Sequence, residues 1–193
     1  MTEKSEITFE DKKVITPEFR VSFPSVFQPK SFLGSEPKFS VTMLFPKNTD
    51  LKDLKRAAHL ALIEKFGPKE KWPKNLKNPF RDGDEMEDMN GFEGMIFVRA
   101  SAKERPGLVD RRANEILDPS DFYAGCYARA SVVAFGYKTA GNQGASFALL
   151  NLQKTRDGDS LTGKRRAQDE FDAIEDDEYE SESVSDIDDA LGF

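Results

Sequence analysis

Asp121-Phe122-Tyr123-Ala124-Gly125-Cys126-Tyr127-Ala128-Arg129-Ala130-Ser131-Val132-Val133-Ala134-Phe135-Gly136-Tyr137 is the stretch on which the fold turns. Its even positions are apolar and, after Phe122, all small: Ala124, Cys126, Ala128, Ala130, Val132 and Ala134. Its odd positions carry Tyr123, Tyr127, Arg129, Phe135 and Tyr137. Alternation with a period of two is the mark of a β-strand. A face of small apolar side chains suits the interior of a tight barrel. The opposite face, with its aromatics and arginine, is left to pack on a neighbouring layer or to meet a ligand.

Other short alternating runs surround it. Phe19-Arg20-Val21-Ser22-Phe23, bracketed by Pro17 and Pro24, reads as a half-buried strand, with Val26 to Lys30 as a shorter extended piece. Phe39 to Phe45 is a second strand, stopped by Pro46, and Gly94 to Ala102 a third, with Ile96, Val98 and Ala100 on one face and Phe97, Arg99 and Ser101 on the other. A turn at Gly141 to Gly144 joins the long strand to a last one, Ala145 to Lys154.

The period changes in one place. Leu51, Leu54, Ala58, Ala61 or Leu62, and Phe66 recur at helical spacing, so residues 51–66 are an amphipathic helix, with Thr49 or Asp50 as N-cap and Gly67-Pro68 as the stop. From Pro68 to Gly94 no period survives, and an irregular segment of that length is either functional or disordered. Several strands, one helix and Gly/Pro turns argue for a mainly β chain, an OB-fold-like small barrel with one added helix. An OB-fold places its helix between the third and fourth strands, and here three strands follow the helix.

Charge divides the chain in two. Residues 167–193 hold twelve acids and no Lys or Arg, out of 35 acids and 28 bases in the 193 residues. The body, 1–166, keeps 23 acids against 28 bases and is net +5, although the whole chain is net -7. A one-sign block stays extended and solvated, so 167–193 is expected to be a disordered tail on a barrel domain spanning 1–166. The tail ends apolar, and its tip residues Asp186, Asp188, Asp189, Leu191 and Phe193 suit a partner protein's pocket.

A basic body with an aromatic strand face fits single-stranded nucleic acid, whose bases stack on aromatics while cations follow the phosphates. The candidate stacking residues are Tyr123, Tyr127, Tyr137, Phe97 and Trp72; the candidate phosphate contacts are Arg99, Lys103, Arg105, Arg111, Arg112, Arg129 and Lys138. For each set the plainer reading is a packed sheet face or a solvated loop. Two further motifs carry weaker signals. Gly158 to Arg165 nearly spells a phosphate-binding loop, but Arg165 stands where a Ser or Thr would hold magnesium. The acids Asp82, Asp84, Glu85, Glu87 and Asp88 could hold a metal in a nuclease, or simply face water.

One cysteine, Cys126, allows no internal disulfide and fits a reducing compartment; one histidine, His59, leaves no Cys/His zinc site. No apolar run reaches the roughly 18 residues that would span a bilayer, and Met1 to Glu6 lacks the apolar run of a signal peptide. No cofactor is expected.

The block Asp121 to Ala130, running on through Phe135-Gly136-Tyr137, resembles a family of bacteriophage and prophage single-stranded DNA-binding proteins with an OB-fold. Gly144 to Lys154, Asp157-Gly158 and, more loosely, Phe19 to Pro24 with Pro29-Lys30 extend the resemblance over most of the body. The acidic end with its terminal Phe is similar to the tails of such proteins, although Gly192 stands where the bacterial versions have Pro. The resemblance implies a non-catalytic protein of phage DNA replication and recombination in the bacterial host cytoplasm. Such a protein coats exposed strands without base specificity and recruits replication or recombination proteins through its tail, with self-association open. A metal-dependent nuclease and an acidic DNA-mimic interaction module are the alternatives.

Overall fold

The computed structural model describes residues 6–165 and 167–174. In chain order they form α1 (Phe9–Lys12), β1 (Lys13–Ile15), β2 (Phe19–Lys30), β3 (Lys38–Pro46), α2 (Lys52–Phe66), β4 (Arg81–Asp82), β5 (Met95–Ala102), β6 (Gly107–Val109), β7 (Tyr127–Thr139), β8 (Asn142–Arg156) and α3 (Ala167–Glu170).

Five of these strands close a ring. β2 pairs antiparallel with β3, and β3 with β5. β5 runs parallel to β8, β8 pairs antiparallel with β7, and β7 returns to β2. Closure removes free sheet edges. This connectivity is that of an OB-fold barrel. β1 lies along β7, β6 along β8 and β4 along β5, as short additions outside the ring.

The even positions of β7 face inward as the alternation requires. Ala128, Ala130, Val132 and Ala134 are buried in the main core with Val21, Met43, Val98 and Phe147. Small side chains on β7 leave room for Phe19, Phe45 and Phe147, which are fully buried. Helix α2 contributes Leu54, Ala57, Ala58 and Ala61 to the same core and so plugs the barrel. It lies close against β7 at Gly136, where a Cβ would sit 2.5 Å from Lys65 Cβ and 2.9 Å from the Ala61 carbonyl oxygen. Only glycine permits that approach.

Several expectations are corrected. The long strand begins at Tyr127, not Asp121, because Gly125 adopts φ +114° and Pro119–Asp121 form a 3-10 turn capped by Asp118. The last strand is longer, Asn142–Arg156, and the hairpin turn shrinks to Ala140-Gly141, with Thr139 paired to Asn142. β2 does not stop at Pro24 but runs on to Lys30. The helix N-cap position is Leu51, while Asp50 accepts the Lys52 N–H at 3.0 Å from one residue earlier. In the ring α2 falls between the second and third strands, not the third and fourth; what closes the core is its seat on β7 and β8, and either connection can deliver it there.

Candidate nucleic-acid interface

The outer face of the ring carries a cleft built from β2, β3, β5 and the start of β8. Its first wall comes from a bulge. Ser22 pairs with Thr42 but Ser25 with Ser40, so three steps on β2 match two on β3. The extra residue reverses the alternation. Phe19 and Val21 point into the core, but Phe23 is turned outward with φ +42° and 57% of its surface exposed. A non-glycine residue at positive φ is strained and persists only where its surroundings hold it. The Phe23 ring leans on Phe92, centroids 6.2 Å apart.

The floor comes from β5. Phe97 and Arg99 share its outer face, opposite Leu44 and Thr42 of β3. Phe97 is only 8% exposed, packed edge-on to Phe92 at 5.1 Å with the Arg81 guanidinium 5.0 Å above its ring. It supports the floor more than it offers a face. Arg99 is exposed, and its guanidinium donates to Ser40 Oγ at 3.4 Å. Across the cleft stand Tyr137, Ala145 and Ser146, with Lys77 held by its N–H bond to the Gln143 carbonyl, 2.8 Å. The space enclosed is about 320 Å³, and Met86 and Met89 complete its apolar side.

The acidic cluster of the irregular segment shapes this wall. Asp82 Oδ1 accepts the Asp84 N–H at 3.0 Å, and Asp84 Oδ1 the Gly94 N–H at 2.7 Å. Lys47 bridges to Asp82 at 2.9 Å and also to Asp84. Hydrogen bonding to Lys47 first, and to backbone N–H groups second, holds both carboxyls below the usual aspartate range. These two acids brace the loop that carries Phe92. Among the described residues no group of His, Cys, Asp and Glu is arranged to hold a metal ion.

The structure brings together Phe97, Arg99 and Tyr137, and places the remaining candidates elsewhere. Tyr127 lies at the far end of β7 between Arg156, 3.6 Å from its ring centroid, and Arg20, 5.9 Å. Tyr123 bonds Asp157 Oδ1 at 2.9 Å and carries Lys154 over its ring. Arg129 donates to Gln153 and lines a second hollow with Arg111, Lys154 and Arg156. Arg112 follows in the same exposed loop. Trp72 donates its indole N–H to the Gly67 carbonyl at 2.8 Å and packs on His59 beside α2. Lys103 pairs with Glu36 at 3.0 Å, and Arg105 covers Phe27. Lys138 sits near the β7–β8 hairpin tip, opposite Gln143.

The near-P-loop segment is a strap. The Leu161 N–H bonds the Ala124 carbonyl at 3.0 Å, Arg20 holds the Asp159 carbonyl at 2.7 Å, and Leu161 packs on Leu44, Phe92 and Phe97. The tip residues Asp186, Asp188, Asp189, Leu191 and Phe193 lie outside the described residues.

Residues 12–182 match the family model described as Enterobacter phage Enc34, ssDNA-binding protein. The chain belongs to that family. The chain is also 36% identical over 155 residues to protein p50 of Acyrthosiphon pisum secondary endosymbiont phage 1, covering 75% of this chain and 83% of that one. The structure of the bacteriophage Enc34 single-stranded DNA-binding protein in complex with ssDNA overlays with a TM-score of 0.65 at 23% identity, over 79% of this chain and 90% of that one. Bacteriophage T7 gp2.5, a single-stranded DNA-binding protein, overlays at 0.54 and 12% identity, over 80% and 97%. At these identities the overlays establish the shared fold.

For this Enc34-family chain, parity along the sequence does not reveal Phe23, Arg81, Met86, Met89 or Phe92. Pro24 is the available signal for the first, since a proline inside a strand run marks an edge or a bulge. The others sit in the long irregular segment, whose length alone marks it as functional or disordered.

Proposed function

We propose that this chain binds single-stranded DNA without reading its sequence, acts without catalysis in phage DNA replication and recombination in the host cytoplasm, and recruits partner proteins through its acidic tail. The observation that carries this reading is the cleft on the outer face of β3 and β5. It sets the exposed Phe23 and the half-buried Tyr137 beside Arg81 and Arg99. Every base has a face to stack, so aromatics flanked by cations hold a strand whatever its sequence. OB-folds use this face of the barrel for oligonucleotides, and the bacteriophage Enc34 protein and T7 gp2.5 are single-stranded DNA-binding proteins. No helix among the described residues is long and apolar enough to cross a membrane.

The strap supports a role for the tail. Leu161 packs against the Leu44, Phe92 and Phe97 cluster, which anchors the chain to the cleft wall a few residues before the acidic stretch begins. A tethered polyanion there competes weakly with DNA.

Anisotropy of labelled oligo-dT tests both points, comparing the full chain with one ending at Arg166 at two salt concentrations. The expected result is tighter binding without the tail, and a log–log salt slope of about -0.7 per neutralised phosphate. Equal affinity for duplex and single strands would sink the reading, and strand cleavage with Mg²⁺ or Mn²⁺ would replace it with a nuclease.

A further inference from the structure

A DNA strand has a chemical direction. If every copy holds it in the same cleft, all copies face the same way along it. Neighbours are then related by a translation with rotation, since a two-fold axis would reverse the strand. Contacts between them must therefore join two different surfaces, a heterologous interface. The barrel presents two such surfaces, one apolar with lysines at its base and one apolar with glutamates at its rim.

The first is the turn between β2 and β3. Phe32 is 68% exposed and Leu33 92%, yet the turn is not loose. The Ser35 N–H bonds the Phe32 carbonyl at 3.0 Å, the Phe32 N–H bonds Ser35 Oγ at 3.2 Å, and Ser31 Oγ closes on the Ser35 carbonyl. Leu33 is held at φ +49°. At its base Lys30 and Lys38 face each other across the strands, and neither has an ion-pair partner among the described residues. Like charges directly opposite are destabilising unless an anion comes between them.

The second surface is a groove of about 830 Å³ against the end of α2. Ile7, Ile63 and Pro68 supply its apolar lining, and Glu6, Glu64 and Glu70 its rim, with Lys69 as the cation of the lining. Lys12 neutralises Glu64, so Glu6 and Glu70 remain for an incoming cation. A volume of this order encloses a drug-sized ligand and admits a Phe–Leu tip. α2 rests on β7 and β8, whereas the tip belongs to β2 and β3, so the two surfaces occupy different parts of the barrel.

We infer that Phe32 and Leu33 of one copy dock into the Ile7–Ile63–Pro68 groove of the next, with Lys30 and Lys38 against Glu6 and Glu70. This contact links neighbours head to tail along a coated strand. The inference rests on the proposed function for its setting, and the contact itself is testable without DNA.

Two full-length variants, Leu33→Cys and Ile63→Cys, are mixed at high concentration with a short bis-maleimide, with and without poly(dT). Native Cys126 is buried and does not compete. The expected product is a cross-linked dimer in the mixture and not in either variant alone. No cross-link in the mixture, or one in a single variant, overturns the contact. In parallel, Leu33→Glu is expected to leave binding to a one-site oligo-dT unchanged and to lower apparent affinity for a long strand about tenfold. Glu6→Lys with Glu70→Lys should restore a Lys30→Glu, Lys38→Glu chain. If short-oligo affinity falls in step, the tip touches DNA and the inference fails. If the wild-type chain binds no oligo-dT yet the mixture cross-links, the proposed function fails and the contact stands.

Discussion

Phe23 separates two quantities that usually move together, and substituting it tests the cleft most directly. Its ring is 57% exposed at the cleft mouth, so removing it costs little buried area. Its backbone, at φ +42°, is strained for any residue with a Cβ. Phe23→Ala removes the ring and keeps the strain; Phe23→Gly removes both. A left-handed residue costs about 1–2 kcal/mol, and glycine's extra chain entropy takes back about 0.5–1. The glycine variant should therefore be the more stable of the two by up to about 1.5 kcal/mol, or roughly 3–6 °C in melting temperature for a domain of this size. Both lose the same stacking surface, worth about 1–3 kcal/mol per base, so both should bind oligo-dT about 5- to 150-fold more weakly. Anisotropy titration gives the affinities, and thermal melting by circular dichroism gives the stabilities. Wild-type affinity in both variants would refute the stacking role. A glycine variant that melts below the alanine variant would refute the strain argument.

Arg99→Ala should weaken binding to all sequences alike and lower the magnitude of the salt slope by about 0.7, one phosphate contact, in the same titration. Gly136→Ala drives a methyl group into Lys65 and the Ala61 carbonyl, and should cost about 1–3 kcal/mol in urea unfolding while leaving the cleft residues in place. Asp82 and Asp84 have lowered carboxyl pKa values, so the stability they add is complete above the ordinary aspartate value of about 4 and is lost as pH falls through their own lower values. The protection factor of the Gly94 amide, its exchange rate relative to an unstructured amide at the same pH, should hold at pH 4.5 and fall only in stronger acid, whereas Asp84→Asn should lower it at neutral pH.

Period and parity made the barrel readable. Ala128 to Ala134 point inward because a strand offers its core only every second residue, and Phe97 and Arg99 share a face for the same reason. Parity names a face but not what comes to lie on it. Tyr127 shares the outward parity of Tyr137, yet Arg156 and Gly158, about thirty residues downstream, close over its ring. Tyr137, on the same strand, looks into the cleft. The bulge at Phe23 was beyond reach for another reason. Its position is set by pairing with β3, a long-range property that a local pattern does not contain. The wall formed by Arg81, Met86 and Phe92 follows no period at all, being held by Lys47, two aspartates and a glycine.

The parallel pairing of β5 with β8 also dictates when the protein becomes itself. During synthesis β2, β3 and β5 can assemble as a simple meander, but its two outer edges then stay unpaired. β7 seals one edge, and β8, the last strand described, seals the other. The floor of the cleft can be laid early, but Tyr137, Ala145 and Ser146 arrive only with the final hairpin. A ribosome-bound chain therefore keeps two unpaired edges until late in translation, and the cleft is complete only when residues 127–156 pair onto them. Folding of this chain should be limited by that long-range closure and not by its local turns.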